Sequence, residues 1–277
     1  MRSSGAGHDG LVPDGPEEAS SVAVHCLTTG EVRAKRGERG VRRYLPGAWR
    51  DETLPVNCFL IEHPEGLCLF DAGQTARAAQ RGYLPAWHPF LRLARFELSQ
   101  ADEAGAQVRA LGHDPGRLRW VVLSHLHTDH VGGIGDFAAT EPIVARAEWE
   151  RATGLRGRLR GYVPQHWPRG LRPRLVELDG GALGPFPGSQ PLTADGRLVL
   201  VALPGHTPGH VGLLVRGPGR SFLLAADLAH TSAELASTRP DVAEWCEREG
   251  ALPLLAHDRG AAGPLRTLQQ DLGGAIA

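Results

Sequence analysis

Short apolar runs alternate with clusters of glycine, proline and aspartate along most of the chain, a pattern that predicts many short strands and few helices. "VAVHCL" (22–27) is the first run. "NCFLIEH" (57–63) and "LCLFDAG" (67–73) flank "PEG", a turn signal, and predict a hairpin. "SQADEAGAQVRALGHD" opens on Ser99, has helix-forming composition and meets Gly112, so it predicts a helix ending near Leu111. "LRWVVLSH" (118–125) predicts a buried strand. In the second half "PIVAR", "RLVELD", "RLVLVALPG", "HVGLLVR", "SFLLAAD" and "ALPLLAHD" read as strands, with "AEWERAT" and "PDVAEWCEREG" as helices. Strand-rich halves with few helices are met most simply by two sheets packed face to face with helices outside, one domain in four layers.

Residues 1–20 break the pattern. They are rich in glycine, proline, serine and acids and predict a disordered tail, leaving 21–277 as the domain. The 277 residues are 42% apolar, enough for a sizeable core. A formal net charge of −1 gives no reason to expect nucleic acid or an anionic membrane as a partner. Cys26, Cys58, Cys68 and Cys246 are scattered, mostly within apolar runs, and read as buried free thiols. With no apolar leader segment and no run near the ~20 residues of a membrane helix, the expectation is a cytoplasmic protein acting on a small molecule.

Chemistry enters at "SHLHTDHVGG", where His125, His127, Asp129 and His130 crowd the end of a buried strand. A loop reversing direction there can aim His125 and His127 at one ion and Asp129 and His130 at a second. Imidazole and carboxylate suit zinc, iron, manganese or cobalt. Gly132 and Gly133 permit a close backbone approach. Later strand ends supply more: His206 in "LPGHTPGH", Asp227 after "FLLAA" and His257 after "LLA". A carboxylate such as Asp227 can bridge two ions, with His206 and His257 each completing one.

In "HLHTDH", "GHTPGH", "LLAAD" and "LLAHD" the chain closely resembles the metallo-β-lactamase superfamily over about residues 21–260. The resemblance implies an α/β fold, the αβ/βα sandwich, with a dinuclear metal site, usually zinc, in the cleft between the halves. Carried over by position, His125, His127 and His206 hold one metal, Asp129, His130 and His257 the other, and Asp227 bridges. Asp71, ending the hairpin as Asp-Ala-Gly where the family commonly has Asp-Thr-Gly, looks like a carboxylate that orients ligands. The implied reaction is attack of a bridging hydroxide on an ester, lactone or thioester carbonyl, with Asp129 holding the hydroxide and passing a proton to the leaving group.

Within the family, the chain looks most like the N-acyl homoserine lactonases. Alternatives are a glyoxalase II-type thioesterase and a mononuclear iron enzyme of the sulfur dioxygenase kind. Those β-lactamases that use a cysteine ligand are disfavoured, since Asp227 fills the metal position with no cysteine nearby. One departure stands out: the lactonases usually carry a tyrosine three residues after the bridging aspartate, and here that residue is His230. His230 is expected to face substrate as a hydrogen-bond donor. Trp87, Phe90, Leu91 and Phe96 are candidates either to roof the cleft or to pack a surface helix, and the arginine-rich stretch Gly154–Arg174, with His166, is a candidate cleft rim.

Overall fold

The apolar runs pair into two sheets, seen in a computed structural model that describes residues 22–34, 52–84, 94–154, 157, 161–217 and 219–265. The first sheet holds β1 (Ala23–Ala34), β2 (Leu54–Glu62), β3 (Cys68–Phe70), β4 (Ala94–Glu97), β5 (Trp120–Val122), β6 (Pro142–Ala145) and β7 (Arg174–Val176). Their order is β4-β1-β2-β3-β5-β6-β7, antiparallel through β3 and parallel from β3 to β7. The second sheet holds β8 (Ser189–Pro191), β9 (Leu198–Ala202), β10 (Val211–Arg216), β11 (Ser221–Ala226) and β12 (Ala251–Leu255), in reverse order from β12 to β8. The helices are α1 (Ala104–Ala110), α2 (Thr128–Val131), α3 (Arg146–Thr153), α4 (Ser232–Thr238) and α5 (Pro240–Arg248).

Strand β2 shows why its sequence is almost continuously apolar. Its side chains alternate faces, and both faces are covered. Phe59 and Ile61 point into the core between the sheets, where Phe70 and Val122 meet Leu198, Leu200, Leu213, Leu224 and Leu254. Cys58 and Leu60 point the other way, onto Ala104 and Val108 of α1. Beyond the second sheet, Val201, Leu223 and Leu255 pack against Leu235 of α4 and Val242 and Trp245 of α5. This is the four-layer αβ/βα sandwich that the sequence predicts.

The predicted hairpin is β2–β3, and the helix after Ser99 ends with Leu111 as its C-cap and Gly112 at φ 86°. Phe96 departs from one of its two expected roles, packing a surface helix. It lies on β4, an edge strand opposite Val32 of β1, and not on a helix. The alternation Ala-Arg-Phe-Glu carries the reason: Ala94 and Phe96 are partly buried while Arg95 and Glu97 are exposed, a period of two. Trp87, Phe90, Leu91 and the 1–20 tail lie outside the described residues. Strand β8 and helix α4 carry little apolar pattern of their own; β8 is held by pairing to β9, and α4 by Leu235 and by Thr231, which accepts the Glu234 N–H at 3.1 Å.

The two sheets are stitched at one end. Val211 N–H donates to Ser124 O at 2.9 Å, Asn57 N–H to Ala256 O at 2.8 Å, and His257 Nδ1 to Pro55 O at 2.8 Å. Every polar residue singled out at a strand end is gathered there.

Candidate metal centre

Helix α2 follows β5 across a short link, and His127 is its N-cap. Its first turn aims Asp129 and His130 back towards His125, which is fully buried. The sequence predicts a loop here; one helical turn does the same work with fixed geometry. Gly132 and Gly133 are needed at its end. A Cβ on Gly133 would stand 2.3 Å from Ala72 O, and one on Gly132 would stand 2.3 Å from Gln74 Oε1. The close fit lets Ala72 N–H reach His130 O and Gly133 N–H reach Gly73 O, at 2.8 and 3.1 Å. That contact sets Asp71 beside His130.

All seven residues read from the sequence converge. His127 Nδ1 lies 3.0 Å from His125 Nε2 and 2.9 Å from His206 Nε2. Asp227 divides its oxygens between two groups. Oδ2 is 3.4 Å from His206 Nε2 and 3.9 Å from His125 Nε2, while Oδ1 is 3.1 Å from His130 Nε2 and 3.3 Å from His257 Nε2. Asp129 Oδ2 lies 3.7 Å from His257 Nε2. Three sets can each surround one ion: His125, His127 and His206; His125, His130 and Asp227; Asp129, His130 and His257.

These residues fit a metal better than they fit one another. Nitrogens bound tetrahedrally to one zinc at ~2.1 Å would lie about 3.4 Å apart, close to the spacing seen. His130 Nε2 and Asp227 Oδ1 are buried and close, yet neither has an aligned hydrogen bond among the described residues. Burial and neighbouring imidazoles hold His125 well below the usual histidine range and His127 down to about 3; burial also lowers His206. Neutral nitrogens are the form that ligates. His130 and His257 go the other way. Burial opposes their charge, but Asp227 outweighs it, helped by Asp71 at His130 and by Asp129 at His257, which is pushed up to about 9. For Asp227 burial is overcome by His130 and His257, which hold it well below the carboxylate range. This half of the centre calls for positive charge.

Around these seven lies a frame that fixes tautomers. Asp71, buried and at φ 61°, accepts from Ser124 N–H at 2.7 Å, from Ser124 Oγ–H at 2.8 Å and from His130 Nδ1–H at 2.8 Å. Ser124 Oγ lies 3.0 Å from His125 Nδ1 and accepts from it, its own proton being given to Asp71. When neutral, as a ligating ring must be, both rings therefore turn a lone pair on Nε2 towards the centre. Ser124 escaped the sequence reading. So did Glu148, fully buried on α3, whose Oε1 accepts the Leu126 N–H at 3.0 Å, between His125 and His127. His210 also went unread. Its Nδ1 donates to Leu203 O at 3.1 Å, its ring lies 5.3 Å from His125, and burial lowers it to about 3.

The expected cleft rim resolves into two parts. Tyr162 places its ring 4.9 Å from that of His127, beside Glu148. His166 packs edge-on against Tyr83 at 3.9 Å. Residues 155, 156 and 158–160 lie outside the described set. His230 stacks on His257 with centroids 5.6 Å apart, and its Nδ1 lies 3.0 Å from Glu234 Oε2.

Comparison with known proteins finds lactonases among the chain's relatives. The N-acyl homoserine lactonase AttM of Azorhizobium caulinodans is 32% identical, covering 87% of this chain and 95% of that one. The AttM lactonase of Rhizobium radiobacter is 35% identical over 76% of this chain and 78% of its own. A solved N-acyl homoserine lactone hydrolase, with N-hexanoyl-L-homoserine at its catalytic metal centre, superposes with TM-score 0.68 at 23% identity. It covers 87% of this chain and 94% of that one, a likeness of fold. The profile described as "Metallo-beta-lactamase superfamily" matches residues 51–272, so the chain belongs to the metallo-β-lactamase superfamily.

Proposed function

We propose that the protein is a dinuclear metal hydrolase, most simply with two zinc ions, that opens lactones of the N-acyl homoserine type. The observation that carries this is Asp227, whose two oxygens face separate histidine groups. That is the arrangement a bridging carboxylate needs. The 32% identity over 95% of a lactonase supports the substrate class. His125, His127 and His206 hold one ion, and Asp129, His130 and His257 the other. Metal ions held there supply Lewis acidity and lower the pKa of water towards neutrality.

The chain's own residues prepare the site for that chemistry. Asp71 and Ser124 keep His125 and His130 in the ligating tautomer. The Asp129 side chain is 14% exposed, so its carboxylate can exchange a proton with a group entering the site. His206, 33% exposed, leaves the centre open to solvent on one side. The four cysteines are free, in keeping with a cytoplasmic location. No helix among the described residues is long and apolar enough to cross a membrane.

The test joins elemental analysis to a substrate panel of lactones, thioesters, β-lactams and phosphotriesters. Two transition-metal ions per chain and preferred opening of N-acyl homoserine lactones are expected. One iron per chain, unchanged after incubation with zinc or manganese, refutes the dinuclear reading; preference for a thioester refutes the substrate class.

A further inference from the structure

His230 stands where the lactonases this chain resembles usually carry a tyrosine, and its surroundings give it the opposite polarity. Glu234 Oε2 takes two hydrogen bonds from this residue, one from the backbone N–H at 2.9 Å and one from ring Nδ1 at 3.0 Å. A carboxylate has no proton to give, so the hydrogen of the neutral ring sits on Nδ1. Nε2 is then a lone pair. It has no hydrogen-bond partner among the described residues, and the side chain is 43% exposed. The ring lies at 27° to His257, whose Nε2 faces Asp227 and Asp129, so His230 borders the metal centre directly. Glu234 is itself fixed, because its N–H caps onto Thr231 Oγ at the start of α4.

We propose that His230 is a hydrogen-bond acceptor for substrate, that Glu234 is the positioning residue that keeps it so, and that the pair selects lactones carrying an N–H beside the ring carbonyl. The proposal rests on the lactonase reading and goes further. A tyrosine hydroxyl can donate to a carbonyl oxygen; a lone pair repels one. Whatever substrate group rests against His230 must bring a hydrogen. An N-acylated homoserine lactone has such a group, the amide N–H on the carbon next to the ring carbonyl. A simple γ-alkyl lactone has none.

The experiment compares kcat/KM of the metal-loaded enzyme on N-hexanoyl homoserine lactone and on its O-acyl counterpart, in which an ester oxygen replaces the N–H. Ring opening is followed by chromatography of the acid product. One neutral hydrogen bond corresponds to roughly a three- to tenfold preference for the amide, expressed in KM. His230→Phe and Glu234→Ala should bring that ratio towards one. Glu234→Gln should keep it, since its carbonyl oxygen can still accept both N–H groups. Equal efficiency of the wild type on both lactones overturns the inference and leaves the lactonase reading standing. An undiminished ratio in His230→Phe overturns it too. Loss of the ratio in Glu234→Gln as complete as in Glu234→Ala overturns the tautomer assignment, because the charge of Glu234 and not its acceptor oxygen would then be at work. Wild-type enzyme that opens neither lactone overturns the lactonase reading and this inference together.

Discussion

Replacing Asp71 by asparagine tests whether proton placement, and not only ligand identity, builds the centre. The site favours this substitution as a clean perturbation. Asp71 has φ 61°, in the left-handed region that asparagine tolerates well, so the backbone need not move. Size is also conserved. What changes is one oxygen. Oδ1 can still accept Ser124 N–H, but the group replacing Oδ2 is an NH₂ that faces two donors, Ser124 Oγ–H and His130 Nδ1–H. For His130 to accept from it, the ring must carry its hydrogen on Nε2, which closes the ligating lone pair. If Ser124 turns to accept from the amide, its proton is aimed at His125 Nδ1, and that ring is pressed to flip as well. A charge-assisted hydrogen bond is worth about 1.5–3 kcal/mol, and at about 1.4 kcal/mol per decade this predicts metal affinity lowered by roughly 10- to 100-fold. Ligand-supporting residues elsewhere give a similar range. Competition against a chromophoric chelator measures it, with circular dichroism as the check on folding. A folded Asp71→Asn protein that holds its metal as tightly as the wild type refutes the tautomer argument.

Three further outcomes follow from the same geometry. Asp227→Ala should lose more metal than His257→Ala, because the carboxylate serves both histidine groups and His257 only one; equal retention in elemental analysis refutes the bridge. Metal-stripped protein should be most stable near pH 6.5. His127 and His210, folded at about 3 against about 6.5 unfolded, give stability that is lost as pH falls from 6.5 towards 3, and His257, at about 9, gives stability lost as pH rises through 9. A Tm at pH 4.5 equal to that at 6.5 would contradict this. Gly209→Ala should destabilise by about 1–3 kcal/mol, since its Cβ would lie 2.2 Å from the Glu148 backbone nitrogen, which no rotamer change relieves; an unchanged Tm rules the clash out.

The seven candidate ligands are legible as a set because metal chemistry restricts residue type and spacing together. Four metal-competent residues within six positions behind a buried strand serve little besides ligation, and the later strand ends then acquire meaning from the first cluster. The supporting frame was harder to read. Ser124 is an ordinary serine until its oxygen is seen between Asp71 and His125. Glu148 did leave a trace: on α3 it shares the buried face with Ala152, four residues on, where a charge is out of place. His210 follows His206 by four residues in a glycine-rich turn, and nothing in that spacing separates an inward ligand from an inward neighbour. The strand under Phe96 is hard to read because four residues offer only two turns of alternation, too few to stand against a longer apolar stretch before it.

Backbone conformation was the least legible feature, and it bears most directly on function. Two of the three described non-glycine residues at positive φ adjoin the centre: Asp71 itself, at 61°, and Ala226, at 43°, just before Asp227. Each such residue costs of order 1–3 kcal/mol unless its surroundings hold it in place. Here they do. Asp71 is held by three hydrogen bonds through its carboxylate, and Ala226 by its carbonyl's bond to Ala256 N–H at 3.0 Å. Both turns come where a strand ends, and both deliver a carboxylate: one to the back of His130, the other to its front. Glycine would relieve the strain at either position, but at Asp71 it would also remove the carboxylate. The sequence therefore keeps an aspartate at a position whose backbone favours glycine. The strain is local, and it lies where two anions must be aimed at one imidazole from opposite sides.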